Sequence, residues 1–225
     1  MLTAKKIHEQ INRLTINLIE TGLCDAQNFP SINQYSGGIE EVGISDSNNS
    51  IFLKSIPYSE MYTQLMEQKN YNFRMIDGAL ISMLYRFKNN NLVSHRLSFF
   101  PSPDLETFQN EPELYWNDAL YGDIIDKRIV TVPIRFDFDN DENTVKPITH
   151  PISHFTLGQY EHCRIPVVAA LTPYQFLMFI TINFYHTGHQ KFSNQFTVFH
   201  DCFEATIFDE EREIIHIHTP RYSGH

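Results

Sequence analysis

The amino-acid sequence predicts an α+β domain built on a mainly antiparallel sheet, and three stretches predict it. Two apolar-alternating runs, 79–88 and 92–100, flank Asn89-Asn90-Asn91, a loop short enough to turn one strand back onto the next. A third run, 130–139, sets Val130, Val132, Ile134, Phe136 and Phe138 against Thr131, Arg135, Asp137 and Asp139. Thr172-Pro173-Tyr174-Gln175 then opens a helix, with a threonine N-cap, a proline at the first helical position and a glutamine to close a capping box. Parallel strands need helical crossovers, whereas these strands join through turns.

Taken in order, Thr3 to Thr21 reads as an N-terminal amphipathic helix, with Ile7, Ile11, Leu14 and Leu18 on one stripe. Residues 22–50 are rich in Gly, Ser and Asn and read as loop, with a weak strand or two around Ile39 to Ile44. Met61 to Lys69 reads as a short helix. A three-residue hairpin loop pairs Lys88 with Leu92, Tyr85 with His95 and Met83 with Leu97. Ile81, Met83, Tyr85, Phe87, Val93, Leu97 and Phe99 then share the core face. Ser82, Arg86, Lys88, Ser94, Arg96 and Ser98 take the other, and a slip of one residue would mix the two sets.

After the strand at 130–139 comes an acidic turn, Asp139 to Asn143, and a strand through His154-Phe155-Thr156-Leu157 that ends at Gly158. The helix at about 172–185 is apolar around most of its circumference, which predicts burial against the sheet. A last hairpin joins Thr206-Ile207-Phe208 to Ile214 through His218 around the turn at 209–212. The 225 residues suit one domain, 1–225, with a helix over 1–21 and a sheet-containing core over 71–218.

The formal net charge of −10 excludes a nonspecific nucleic-acid coat, though it is compatible with a local basic pocket. From Leu97 to Asp126 there is no Lys or Arg, while seven Asp and Glu fall there. Such a stretch is a solvated acidic surface or a docking surface for a protein partner. Three widely spaced cysteines, Cys24, Cys163 and Cys202, with no CxxC, point to a reduced, cytoplasmic setting. Met1 to Glu20 lacks the apolar core of a signal peptide. The longest apolar run, Phe176 to Phe184, is too short to cross a bilayer, so no membrane partner is expected.

The polar face of the predicted sheet gathers Arg86, Arg96, Arg135, Asp137 and Asp139, and His150-Pro151-Ile152-Ser153-His154 and Cys163-Arg164 follow. One histidine can take a proton, a second can give one, and a guanidinium can stabilise developing negative charge. His150, His154 and Arg164 are therefore the candidate catalytic residues. Arg135, Arg96, Arg86, Asp137 and Ser153 are the candidate substrate-binding residues. An antiparallel sheet often has a solvated face on which Arg and Asp simply pair, which is the structural alternative.

Metal chemistry is assigned no residues. Pro151 disfavours a helix at His150, and four extended residues span about 13 Å, too far for two ligands unless a turn at Pro151-Ile152 folds them together. Asp137 and Asp139 lack a third carboxylate. No cofactor is assigned either. Cys163 reads as a small buried residue before Ile165-Pro166-Val167-Val168 rather than as a thiolate nucleophile.

The segments His95 to Pro103, Ile134 to Asp139 and His150-Pro151-Ile152-Ser153-His154 through Gly158 to Cys163-Arg164-Ile165-Pro166 resemble a bacterial family known as a domain of unknown function. The resemblance spans residues 70–190, extends to nearly the whole chain, and implies no activity. In layout, Arg135-Phe136-Asp137 followed by paired histidines is also similar to toxins of bacterial toxin–antitoxin pairs, which carry an Arg-Tyr-Asp-Asn strand and a histidine cluster. Here Phe136 and Phe138 replace the tyrosine and asparagine, and the spacing to the histidines is longer. The functional expectation is a metal-independent ribonuclease, or a related phosphodiester-acting effector of a defence or toxin–antitoxin locus, with RNA or a nucleotide as its partner. The alternative is a non-enzymatic accessory subunit that docks a co-encoded protein through residues 104–126.

Overall fold

Among the residues that this computed structural model describes, 1–44, 56–103, 132–160 and 162–220, nine strands form one sheet in which every strand pairing is antiparallel. The strands are β1 (Cys24–Gln27), β2 (Ser31–Tyr35), β3 (Ile39–Gly43), β4 (Phe73–Met75), β5 (Leu80–Lys88), β6 (Asn91–Phe100), β7 (Ile134–Asp139), β8 (Ser153–Leu157) and β9 (Ile165–Pro166). Their order is β1-β4-β5-β6-β7-β8-β9, and the β2–β3 hairpin lies against the far end of β5 beside β4. The helices are α1 (Ala4–Glu20), α2 (Tyr58–Glu67), α3 (Pro173–Phe184), α4 (His186–Phe192) and the single turn α5 (Asp209–Arg212).

The apolar face of the sheet carries the core. Ile81, Met83, Tyr85, Phe87, Leu97, Phe99, Ile134 and Phe136 are buried there with Ile7, Ile11, Leu14 and Leu18 of α1. Helix α3 seals the middle: Phe136 meets Phe176 and Phe179 edge-on at ring-centroid distances of 6.0 and 5.2 Å. The capping box is formed, since Thr172 Oγ1 accepts the Gln175 N–H and Gln175 Oε1 accepts the Thr172 N–H. The N-terminal helix, the mainly antiparallel sheet and the helix packed on it make this an α+β fold.

The opposite face changes character along its length. Leu80 and Phe100, paired across β5 and β6, lie under α2 with Met61, Tyr62 and Leu65. Tyr62 and Tyr58 tie that helix down by donating to the carbonyls of Gly78 and Pro101. Three residue pairs further along β5 this face is charged and uncovered. That uncovered end is where the polar residues of the strands collect.

Several sequence expectations need correction. The β5–β6 turn has two residues, Asn89 and Asn90, both in the left-handed region, with Lys88 opposite Asn91. Paired positive φ values are the type I′ geometry that matches strand twist. A bulge between Arg86 and Phe87 then restores Tyr85 opposite His95 and Met83 opposite Leu97. β7 starts at Ile134, not 130, and residues 130–131 lie outside the described residues. The sheet takes in residues from Cys24 onward, not from 71.

The helix expected at 61–69 runs Tyr58–Glu67. The C-terminal hairpin does not form, because its two arms bond to the continuation of β9 instead. Ile217 bridges Val167 in parallel and Ala205 bridges Ala169, while the acidic residues between wind into α5. The acidic segment 104–126 lies outside the described residues.

Candidate functional site

Strand pairing assembles the site row by row. Leu84, Arg96, Asp137, His154 and Pro166 lie opposite one another across β5 to β9. One row to one side stand Ser82, Ser98, Arg135 and Thr156, and to the other stand Glu41, Arg86, Ser94 and Asp139. Because side chains alternate, all of these project from the face away from the main core. Leu84, Arg86, Ser94, Arg96, Arg135, Asp137 and Asp139 of these rows border a cavity of about 440 Å³ that His150, His154 and Arg164 complete.

Asp137 is the hub. Its Oδ2 accepts from Arg135 Nε at 2.5 Å and its Oδ1 from Arg96 Nε at 3.2 Å. Burial works to raise its pKa, but the Arg135 and Arg96 guanidiniums outweigh that and hold the carboxyl below its ordinary range. Arg86 pairs in the same way with the buried Glu41, at 2.6 Å. Arg164 stands in no ion pair with a described carboxylate.

The loop between β7 and β8 folds back and sets His150 beside His154. Their rings meet edge-on with centroids 5.3 Å apart, although a straight strand would separate them by more than twice that. Two contacts shape the loop. Lys146 and His150 exchange backbone hydrogen bonds, and the Ile148 N–H donates to Glu211 Oε1 at 3.0 Å. Ile148 itself has a φ of 67°, a costly conformation for a β-branched residue. Glu211, 1% exposed and 63 positions away, secures it.

The two histidines differ in freedom. His154 is buried and its Nδ1 lies 2.9 Å from the Pro151 carbonyl, which can only accept, so Nδ1 carries the proton. Nε2 then faces Asp137 Oδ2 at 3.8 Å. His154 Nε2 and Arg135 Nε thus contact one oxygen, and no more than the sum of those two distances separates them. Burial lowers the His154 pKa against the opposing pull of Asp137. His150 is half-buried at the cavity wall, and burial followed by the Arg164 charge lowers its pKa too. His150 therefore presents a neutral, accessible imidazole.

Of the residues singled out from sequence, His150, His154, Arg164, Arg135, Arg96, Arg86 and Asp137 come together here. Ser153 does not. It pairs with Phe138 on the core face, is 4% exposed and donates its Oγ–H to the Ala169 carbonyl. It lies one residue from His154, and the alternation of the strand sends it the other way.

His95 was missed. It pairs with Tyr85, and its Nε2 accepts the Leu171 N–H at 3.1 Å while the Tyr85 hydroxyl donates to the Leu171 carbonyl. Together they hold both polar backbone groups of Leu171, the residue that precedes the α3 cap. The signal was in the sequence, since Val93, His95, Leu97 and Phe99 share parity.

Among the described residues no group of three or more His, Cys, Asp or Glu stands close enough to hold a metal ion. Cys24, Cys163 and Cys202 are free thiols, and Cys163 Sγ takes the Leu157 N–H. No helix of the described residues is long and apolar enough to cross a membrane. Residues 23–219 match the family described as uncharacterized conserved protein (DUF2290). The chain belongs to that family. No curated protein and no solved structure matches it. The DUF2290 match includes the whole sheet from β1 onward and begins after the end of α1.

Proposed function

We propose that the arginine-lined cavity binds an RNA phosphodiester and cleaves it without a metal ion, as the effector of a defence or toxin–antitoxin locus. The observation that carries this reading is the concentration of four arginines, with His150 and His154, around one open cavity on a chain of net charge −10. Local positive charge against an acidic background selects an anion by attraction and disfavours nonspecific coating. Phosphate oxygens suit the guanidinium fork of Arg164, with Arg135 and Arg96 already oriented by Asp137.

His150 takes the proton from the ribose 2′-hydroxyl. The 2′-oxygen bonds to phosphorus, the bond from phosphorus to the 5′-oxygen breaks, and the leaving oxygen takes a proton from water or from a protonated His154. His154 is buried, with Nδ1 bonded to the Pro151 carbonyl and Nε2 turned to Asp137 at 3.8 Å, so the more open His150 carries the larger share. Its replacement by Ala is expected to slow cleavage of a fluorogenic RNA, in buffer containing EDTA, by on the order of 10²-fold. Equal cleavage by wild type and His150→Ala would sink the proposal, as would cleavage that EDTA abolishes.

Two contacts favour a second reading, an accessory subunit in which these residues are structural. Asp137 is saturated by arginines, and His154 is held by a backbone carbonyl. On that reading RNA is neither bound nor cut, and reversing the acidic charges of 104–126 disrupts binding of a co-encoded partner.

A further inference from the structure

The charges of the cavity leave a remainder. Asp137 takes Arg96 and Arg135, and Glu41 takes Arg86. Asp139 Oδ1 accepts the Asp141 N–H where the acidic turn begins. Arg164 is the one of the four arginines on which none of these three described carboxylates lies, and Arg96 has a further interaction besides Asp137. Arg86 and Arg135 engage their carboxylates through Nε, so their Nη groups are not used in those pairs.

We propose that the cavity holds a dianionic phosphomonoester, and that His150 takes up a proton as the ligand binds. The inference rests on the phosphodiester reading above and names the charge state that the same site prefers. Arg164, which pairs with no carboxylate among the described residues, balances a monoanion such as an internal diester. A dianion requires one further cation, and the imidazole beside Arg164 supplies it. The groups that face His150 are Arg164 from the segment before β9, Lys146 from its own loop, Asp137 and Asp139 from β7, and His154 from β8. Burial and Arg164 keep the empty-site imidazole neutral. A phosphate seated on Arg164 cancels that repulsion and adds an attraction of the opposite sign.

The preference bears on catalysis. In-line attack on a diester passes through a dianionic phosphorane, and opening of the cyclic ester by water leaves a 3′-phosphate dianion. A site tuned to two charges therefore favours the transition state over the substrate, and it retains the product end.

Sulfate is the cleanest probe, because it remains a dianion from pH 6 to 8. Titration calorimetry of the full chain with sulfate, in two buffers of different ionisation enthalpy, counts protons. At pH 7 the wild type is expected to take up on the order of half a proton per sulfate, and to bind about fivefold more tightly at pH 6 than at pH 8. His150→Gln is expected to bind sulfate with no proton uptake and a flat pH profile. A short RNA bearing a 3′-phosphate should bind about tenfold more tightly than the same RNA with hydroxyl ends.

Adenosine monophosphate identifies the source. Binding equal to that of the phosphorylated RNA supports a free nucleotide, and weaker binding supports a strand end. Wild-type sulfate binding without proton uptake, or equal affinity for both RNA ends, overturns the inference. Cleavage in EDTA is scored separately. RNA cut without a terminal-phosphate preference leaves the nuclease and removes this inference, whereas tight monoester binding without cleavage does the reverse.

Discussion

His95 and His154 are equally buried, at 4% exposure each, and their strands β6 and β8 flank the same strand β7. His95 lies opposite Phe138 and His154 opposite Asp137, so one residue of parity sends them to opposite faces. On the core face His95 sits among the rings of Tyr85 and Phe138, with centroids at 5.4 and 5.8 Å. Burial, only partly opposed by Asp137, drives its pKa down to about 4. It acts as a neutral acceptor for one backbone N–H, and its own Nδ1–H has no hydrogen-bond partner among the described residues. On the cavity face His154 has the same tautomer but looks toward a carboxylate and a second imidazole. Equal burial thus gives a structural group in one case and a member of a charged cluster in the other. The neighbours that alternation supplies decide which.

The sharpest way to break this contrast is acid. Unfolded His95 titrates near 6.5 and the folded residue at about 4. The unfolded chain therefore binds more protons between those values, and stability falls as pH drops through that window. The loss through this residue alone is expected to be about 3 kcal/mol by pH 4, read from urea unfolding at successive pH values. His95→Phe should remove most of that slope while it lowers stability at pH 7, because the Leu171 N–H loses its acceptor. An unchanged slope in the variant would show that His95 is not the group responsible.

Asp137→Asn tests the other face. Two partly buried guanidiniums lose their shared anion, which is expected to cost about 2 kcal/mol at pH 7, discounted for their partial exposure. The contribution of Asp137 is present above the ordinary aspartate pKa and vanishes as pH falls below it, since its folded pKa is depressed. A variant as stable as wild type at pH 7 would mean that the arginines repel each other too weakly for Asp137 to matter.

The smallest effect belongs to His154→Gln. The glutamine amide can still donate to the Pro151 carbonyl, so stability should change by about 1 kcal/mol or less. RNA cleavage should nonetheless fall, because the edge contact that orients His150 is gone. Cleavage at the wild-type rate would confine His154 to a structural role like that of His95.

The sequence determined the elements whose signals are local. The α1 stripe, the parity of β5 to β8 and the Thr172–Gln175 capping box depend on side chains within one or two turns of each other. They hold in the structure with small shifts of boundary. Parity also placed Arg86, Arg96, Arg135 and Asp137 on one face, so half of the candidate site was legible before any coordinates. Ser153 and His95 obey the same alternation, which turns both side chains to the core face beside their polar neighbours His154 and Arg96.

What the tertiary structure decided is the path of the loops. Nothing near His150 in the chain specifies that residues 146–150 fold back. The turn is held by Glu211, whose helix exists because the two arms of the expected C-terminal hairpin bond to the β9 extension instead of to each other. The same is true of Arg164, which strand pairing of Ile165 and Pro166 with β8 carries to the cavity edge. Local periodicity fixes which face a side chain takes, but contacts between distant segments fix which faces meet.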